Sequence, residues 1–181
     1  MIPQARAGAQ GGGGGGRGLW HTGGVQDEGI GGVMAFRGAK IAVLRGGFVL
    51  TLQRDDLPGL PWAGWWDLPG GGREGEETPE ACALRELHEE LSVVLDPGTL
   101  VWRRSYPGAG RHGPLPNWFL VAEADGAEVA GIVLGDEGQD WCWMRVADFM
   151  AAPRVIPHFR DRLGEYLAAR SAEGGNGNDR G

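Results

Sequence analysis

Three carboxylates spaced i, i+3 and i+4 mark the middle of this chain: Glu86, Glu89 and Glu90, within Arg85-Glu86-Leu87-His88-Glu89-Glu90. On a helix, residues at these spacings are neighbours, so the three acids share one face. Leu84, Leu87 and Leu91 fall on another face, roughly 140° away at about 100° per residue. Such a helix packs one side into a core and presents a dense negative cluster on the other. Like charges at this spacing repel, and a hard cation that neutralises them removes the penalty. The start of the helix is also legible. Thr78 is a good N-cap, and Pro79 suits the first helical position.

From Gly71 to Val93 the chain reads GGREGEETPEACALRELHEELSV. This segment resembles the Nudix box, G-x5-E-x7-R-E-U-x-E-E-x-G-U with U a bulky apolar residue. Gly71, Glu77, Arg85, Glu86, Leu87, Glu89, Glu90 and Val93 match, and Ser92 stands where the family has glycine. An acidic helical run alone would read as a solvated face. The glycine, the upstream glutamate and the helix start, all in register, separate the two readings.

The resemblance covers about residues 36 to 170 and implies an α/β fold, the Nudix-type α/β/α sandwich with a mixed β-sheet between helices. It implies a hydrolase that cleaves the pyrophosphate bond of a nucleoside diphosphate-linked substrate. By position, Glu86, Glu89 and Glu90 would supply most ligands to Mg²⁺, with Mn²⁺ an alternative, as suits hard oxygen donors. Backbone carbonyls at Gly70 or Gly71 would complete the metal site, where a side chain would hold the backbone away. Glu77 and Arg85 would form a bracing ion pair, since a carboxylate held by arginine is a poor base. Gly135-Asp136-Glu137-Gly138-Gln139 resembles the loop that brings a further glutamate to the metals in MutT-like members, which makes Glu137 a metal ligand. For the general base, Glu86 is the first choice and Glu137 the second. Arg54 resembles a substrate-contacting arginine of MutT-like relatives, and arginine matches phosphate geometry. Trp66 and Trp118 are candidate surfaces for stacking a nucleobase.

The substrate stays open. The Glu137 loop and Arg54 favour a MutT-like nucleoside triphosphate pyrophosphohydrolase, yet the segment around Pro153 and Arg154 lacks the base-reading asparagine of that branch. Pro107 lies near the proline of ADP-ribose-directed relatives, so a nucleotide-sugar pyrophosphatase is the alternative. A non-catalytic nucleotide-sensing module would usually have lost box acids, and here all are present. An isopentenyl-diphosphate isomerase would need a catalytic cysteine, for which Cys142 is a faint candidate.

Composition narrows the setting. The net charge of −7 argues against a broad grip on duplex nucleic acid. It would also repel a polyphosphate unless divalent cations reverse the local field. Cys82 and Cys142 form no disulfide framework, suit a reducing cytoplasm and lack the spacing of a paired zinc site. The histidines His21, His88, His112 and His158 are scattered and read as surface residues. No apolar run reaches the ~20 residues of a membrane span. A small-molecule nucleotide is the expected partner, and a homodimer is compatible with all of this.

Residues 1–32 include the run Gly11 to Gly16 and cannot repay their ordering entropy by apolar burial, so they read as a disordered extension. Met34, just before the first expected strand, is where translation would naturally begin. Residues 33–170 form the expected domain, and 171–181 a mobile tail. Strands are expected at 40–44 and 48–54, joined by a hairpin, and near 100–106, 117–123 and 141–145. Helices are expected at 78–91 and 153–170, the second with an apolar stripe of Ile156, Phe159, Leu163 and Leu167.

Overall fold

The computed structural model describes residues 21–22, 35–108, 113–124, 126 and 128–175. In chain order the strands are β1 (His21–Thr22), β2 (Gly38–Arg45), β3 (Phe48–Gln53), β4 (Trp66–Asp67), β5 (Gly70–Gly72), β6 (Leu100–Tyr106), β7 (Asn117–Glu123) and β8 (Asp140–Arg145). Helix α1 (Pro79–Leu91) lies between β5 and β6, and α2 (Val146–Ala151) and α3 (Pro157–Gly175) follow β8. The sheet is mixed, ordered β1-β6-β7-β2-β3-β4, with β5 paired to β2 and β8 to β3. β2 runs parallel to β7 and antiparallel to β3 and β5.

Side chains alternate across a strand with period two, and the central strands use both faces. Along β2, Ala39, Ile41 and Val43 enter one core cluster, while Ala42 and Leu44 enter the other. Along β7, Leu120 and Ala122 face the first cluster, and Phe119 and Val121 the second. The first cluster is closed by Cys82, Ala83, Leu87 and Leu91 of α1. The second is closed by Phe149 of α2 and by Phe159, Leu163 and Tyr166 of α3. The sheet is thus sandwiched between α1 and the α2–α3 pair, the α/β/α architecture expected of the sequence.

The chain departs from expectation where elements are short or prolines intervene. β4 and β5, two and three residues long, are too short to carry a period-two pattern. The expected helix 153–170 begins four residues later, because Ala152 is extended ahead of Pro153 and α3 opens on Pro157. Of its expected stripe, Ile156 is buried just ahead of the helix, Phe159 and Leu163 are buried within it, and Leu167 is partly covered. α3 continues through 171–175, which the sequence reading assigns to a mobile tail. His21 and Thr22, inside the segment expected to lack order, pair in parallel with Trp102 and Arg103 of β6. The remainder of 1–34 and residues 176–181 lie outside the described residues. Among the described residues no helix is long and apolar enough to cross a membrane.

Candidate active site

Helix α1 is held at both ends. Thr78 is extended (φ −77°, ψ 163°), and its hydroxyl accepts from the Ala81 amide at 3.2 Å. At the other end Ser92 is left-handed (φ 55°, ψ 25°), and its amide donates to the His88 carbonyl at 2.8 Å. The capping conformation usually supplied by glycine is therefore adopted by a serine.

Between these caps the three acids are graded by depth. Glu90 is buried, Glu86 is largely covered and Glu89 is mostly exposed. The glycines opposite explain how a carboxylate fits there. A Cβ on Gly71 would lie 2.4 Å from Glu86 Oε2, and one on Gly38 would lie 2.2 Å from the Gly71 carbonyl. Gly70, at φ 128°, donates its amide to Glu90 Oε2 at 2.8 Å. β2, β5 and α1 thus approach more closely than any side chain at these three positions would permit.

Burial pushes the Glu90 carboxyl up to about 7, against the pull of Lys40 and of the Gly70 amide. Burial also raises the Glu86 carboxyl, which Arg85 only partly offsets. These two carboxylates lie where their charge is poorly solvated.

Arg85 ties the exposed edge together. Nε and Nη2 donate to the two oxygens of Glu77 at 3.1 and 2.9 Å, a bidentate pair. Nη1 reaches Glu86 at 3.1 Å and Glu89 at 2.8 Å, and Nη2 also caps the Gly72 carbonyl at 2.9 Å. That guanidinium holds the Glu77 carboxyl down at about 2. Glu77 also accepts the Glu74 amide at 2.7 Å, which binds the loop before α1 to the helix.

Among the described residues no three histidine, cysteine, aspartate or glutamate side chains form a ready-made metal cluster. Glu90 faces the Gly70 amide, and Glu86 and Glu89 are drawn to Arg85. The donor set nevertheless suits a hard divalent cation. It consists of carboxylate oxygens beside a glycine turn with no side chain to block approach, and two of the acids sit where added positive charge would relieve their burial.

Glu137 is exposed, on a loop tied at both sides to this region. The Gly135 amide donates to the Glu90 carbonyl at 2.8 Å, and the Gln139 amide to the Gln53 carbonyl at 2.8 Å. A Cβ on Gly135 would meet the Glu89 carbonyl at 2.2 Å, so the loop lies directly against the end of α1. Arg54, just past β3, reaches Asp67 Oδ2 with Nη1 at 3.0 Å and the Pro61 carbonyl with Nε at 3.1 Å. Leu52, Arg54, Asp55, Leu60, Asp67 and Gly138 line a small groove there.

The two stacking candidates are not brought together. Trp66 packs against the α2–α3 core, whereas Trp118 packs against the α1 core under the Arg103 guanidinium, 5.9 Å from its ring centre. Cys142 contacts Thr51, and burial raises its thiol, as it raises that of Cys82 to about 12, so neither offers a ready thiolate. His158 is exposed, as expected, with its ring lying 4.1 Å from that of Phe159.

Asp67 and Lys40 are residues of this region that the sequence reading did not place in the site. Asp67 is buried, and its Oδ2 accepts from Lys40 Nζ at 3.1 Å as well as from Arg54. The available signal was an aspartate inside the otherwise apolar run Trp65-Trp66-Asp67-Leu68-Pro69.

Known proteins share both the sequence and the fold. The chain is 42% identical over 60 residues to an 8-oxo-dGTP diphosphatase of Proteus vulgaris, a match covering 33% of this chain and 53%, about half, of that protein. It is 29% identical over 132 residues to an RNA pyrophosphohydrolase of Erythrobacter litoralis, covering 64% of this chain and 77% of that one. The crystal structure of a MutT protein from Methanosarcina mazei superposes with a TM-score of 0.60 at 20% identity, over 76% of this chain and 96% of the other, a likeness of fold. The NUDIX domain profile matches residues 34–163, from the residue before the first described part of the domain into the first part of α3. With the box helix, its glycine turn and most of the sandwich around them inside that span, the chain belongs to the NUDIX family.

Proposed function

We propose that the chain is a Mg²⁺-dependent pyrophosphohydrolase, with Mn²⁺ a substitute, acting on a nucleotide substrate of the MutT type. One observation carries the reading: Glu86 and Glu90 are packed against the Gly70–Gly71 turn in a site that leaves their charge poorly solvated. Glu86, Glu89 and Glu90, with a backbone carbonyl of Gly70 or Gly71 beside them, would hold a divalent cation, which would supply positive charge for the phosphates and make a bound water more acidic. Glu86, whose carboxyl burial makes more basic, accepts the proton of the attacking water. Glu137 is the second candidate for that step, or a further ligand, because its loop rests on the end of α1. Arg54 offers its guanidinium to the phosphates. Trp66, adjoining Asp67 on β4, offers a face to the base, and Trp118 would serve only a base that displaces Arg103.

Both relatives named above are called by phosphoanhydride reactions on 8-oxo-dGTP or RNA, which supports a substrate carrying a terminal polyphosphate. The test is a panel of nucleoside triphosphates (8-oxo-dGTP among them), 5′-triphosphorylated RNA, ADP-ribose and dinucleoside polyphosphates, each with Mg²⁺ and scored by product. Pyrophosphate and a monophosphate from a triphosphate substrate are expected. Cleavage of ADP-ribose alone would move the assignment to nucleotide sugars. Absence of turnover across the panel, with nucleotide still bound, would identify a sensor.

A further inference from the structure

Asp67 occupies a junction between the two halves of the site. It is buried, and every hydrogen bond it makes has a separate destination. Oδ1 accepts the Leu68 amide at 2.6 Å, which leads directly into Pro69 and the Gly70–Gly71 turn. Oδ2 is shared by two cations, Lys40 Nζ at 3.1 Å and Arg54 Nη1 at 3.0 Å. Lys40 is fixed a second time by the Leu68 carbonyl at 2.9 Å, and Arg54 by the Pro61 carbonyl at 3.1 Å.

The two cations have opposite tasks. Lys40 lies on β2 opposite Gly70 and acts electrostatically on Glu90 and Glu86. A lysine free to lean onto those carboxylates would compete with any divalent cation for them. Arg54 lies at the groove that Gly138 and Leu60 also line, with Nη2 unpartnered among the described residues. Held by Nε and Nη1, it has one edge left to offer a phosphate, and an arginine pre-set in this way loses less freedom on binding.

We propose that Asp67 is a positioning residue that aims Arg54 at the substrate phosphates and retains Lys40 away from the Glu86 and Glu90 carboxylates. The proposal rests on the pyrophosphohydrolase reading but has a readout independent of it. Asp67 acts through its two cations, so its loss should divide into two effects, one in substrate binding and one in cation binding.

Asp67→Asn keeps an acceptor for the Leu68 amide and removes the charge. With the substrate identified by the panel, its KM should rise roughly tenfold, the scale of one weakened charged hydrogen bond, while kcat at saturating Mg²⁺ stays within about twofold. Arg54→Ala should raise KM similarly, and the double variant Arg54→Ala/Asp67→Asn should add little to it. Separately, the Mg²⁺ concentration that half-completes the rise in melting temperature should increase for Asp67→Asn and not for Arg54→Ala. That titration needs no substrate, so it stands even if the panel returns no turnover. Lys40→Met/Asp67→Asn removes both ends of one ion pair. It spares the fold an unpaired lysine if Asp67→Asn alone fails to fold. It should return the Mg²⁺ midpoint to the wild-type value while KM stays raised. An unchanged KM and Mg²⁺ midpoint in the folded Asp67 variants would overturn the proposal. So would additive KM effects with Arg54→Ala, or a Mg²⁺ midpoint that the Lys40 change fails to restore.

Discussion

Ser92 carries the one departure from the family pattern, and its backbone shows the cost. A left-handed serine at φ 55° holds a conformation that glycine adopts without penalty. Ser92→Gly should stabilise the fold by about 1 kcal/mol, seen as a melting temperature roughly 2–4 °C higher. An unchanged or lower melting temperature would mean that the serine side chain contributes something that offsets the strain. Glu90 makes a different residue-scale prediction. Its carboxyl stands near 7 in the fold against 4.5 when solvated. Below about pH 4.5 it is protonated in both states and costs nothing. Between about pH 4.5 and 7 the unfolded chain releases the proton while the fold retains it, so stability falls as pH rises. In chelator, the melting temperature of Glu90→Gln should therefore gain on that of wild type from about pH 5 to pH 7. Parallel curves would show that Glu90 is well compensated in the metal-free protein. The depth of Glu90 was not legible in the chain: helical spacing places three acids on one face, but only the packing of Gly70 and Gly71 on α1 shows which of them is buried.

At the scale of elements, legibility followed length and punctuation. α1 was readable from Thr78, Pro79 and the leucine spacing because caps and period act within one stretch of chain. β4 and β5 escaped because two or three residues hold no period, yet these short strands carry Asp67 and the glycine turn into the site. The Lys40–Asp67–Arg54 cluster joins β2, β4 and the end of β3, a meeting that only the sheet topology creates. The loop from Gly135 to Gln139 is likewise fixed from two elements, α1 at one end and β3 at the other. If it closes over the metal site, Glu137→Gln should lower turnover by about 10²–10⁴, as removal of a general acid–base group does. KM and melting temperature should hold, because an exposed loop carboxylate contributes little to either. Turnover within about twofold of wild type would return Glu137 to an ordinary solvated loop.

The described residues form a sheet covered on both faces, with Glu86, Glu89 and Glu90 grouped on the helix that covers one of them. Its two apolar clusters draw on residues from Phe36 to Tyr166, so the fold's cohesion lies in 35–175. A chain beginning at Met34 loses β1, whose contribution is a two-residue pairing along β6. It should melt within about 2 °C of the full chain and keep its specific activity, since little apolar burial is lost. A drop of several degrees would assign the N-terminal segment a packing role along that sheet edge.

The proposed placing of phosphoanhydride chemistry on the acidic face of α1 is best tested by hydrolysis with Glu89→Gln and Glu90→Gln at limiting Mg²⁺. Each substitution removes one anionic donor at nearly constant volume and so opens no cavity. Both variants should remain folded and lose most of their turnover, with the midpoint of Mg²⁺ activation moved to higher concentration wherever residual activity can be followed. Wild-type turnover in either folded variant at limiting Mg²⁺ would place the chemistry elsewhere than on this face.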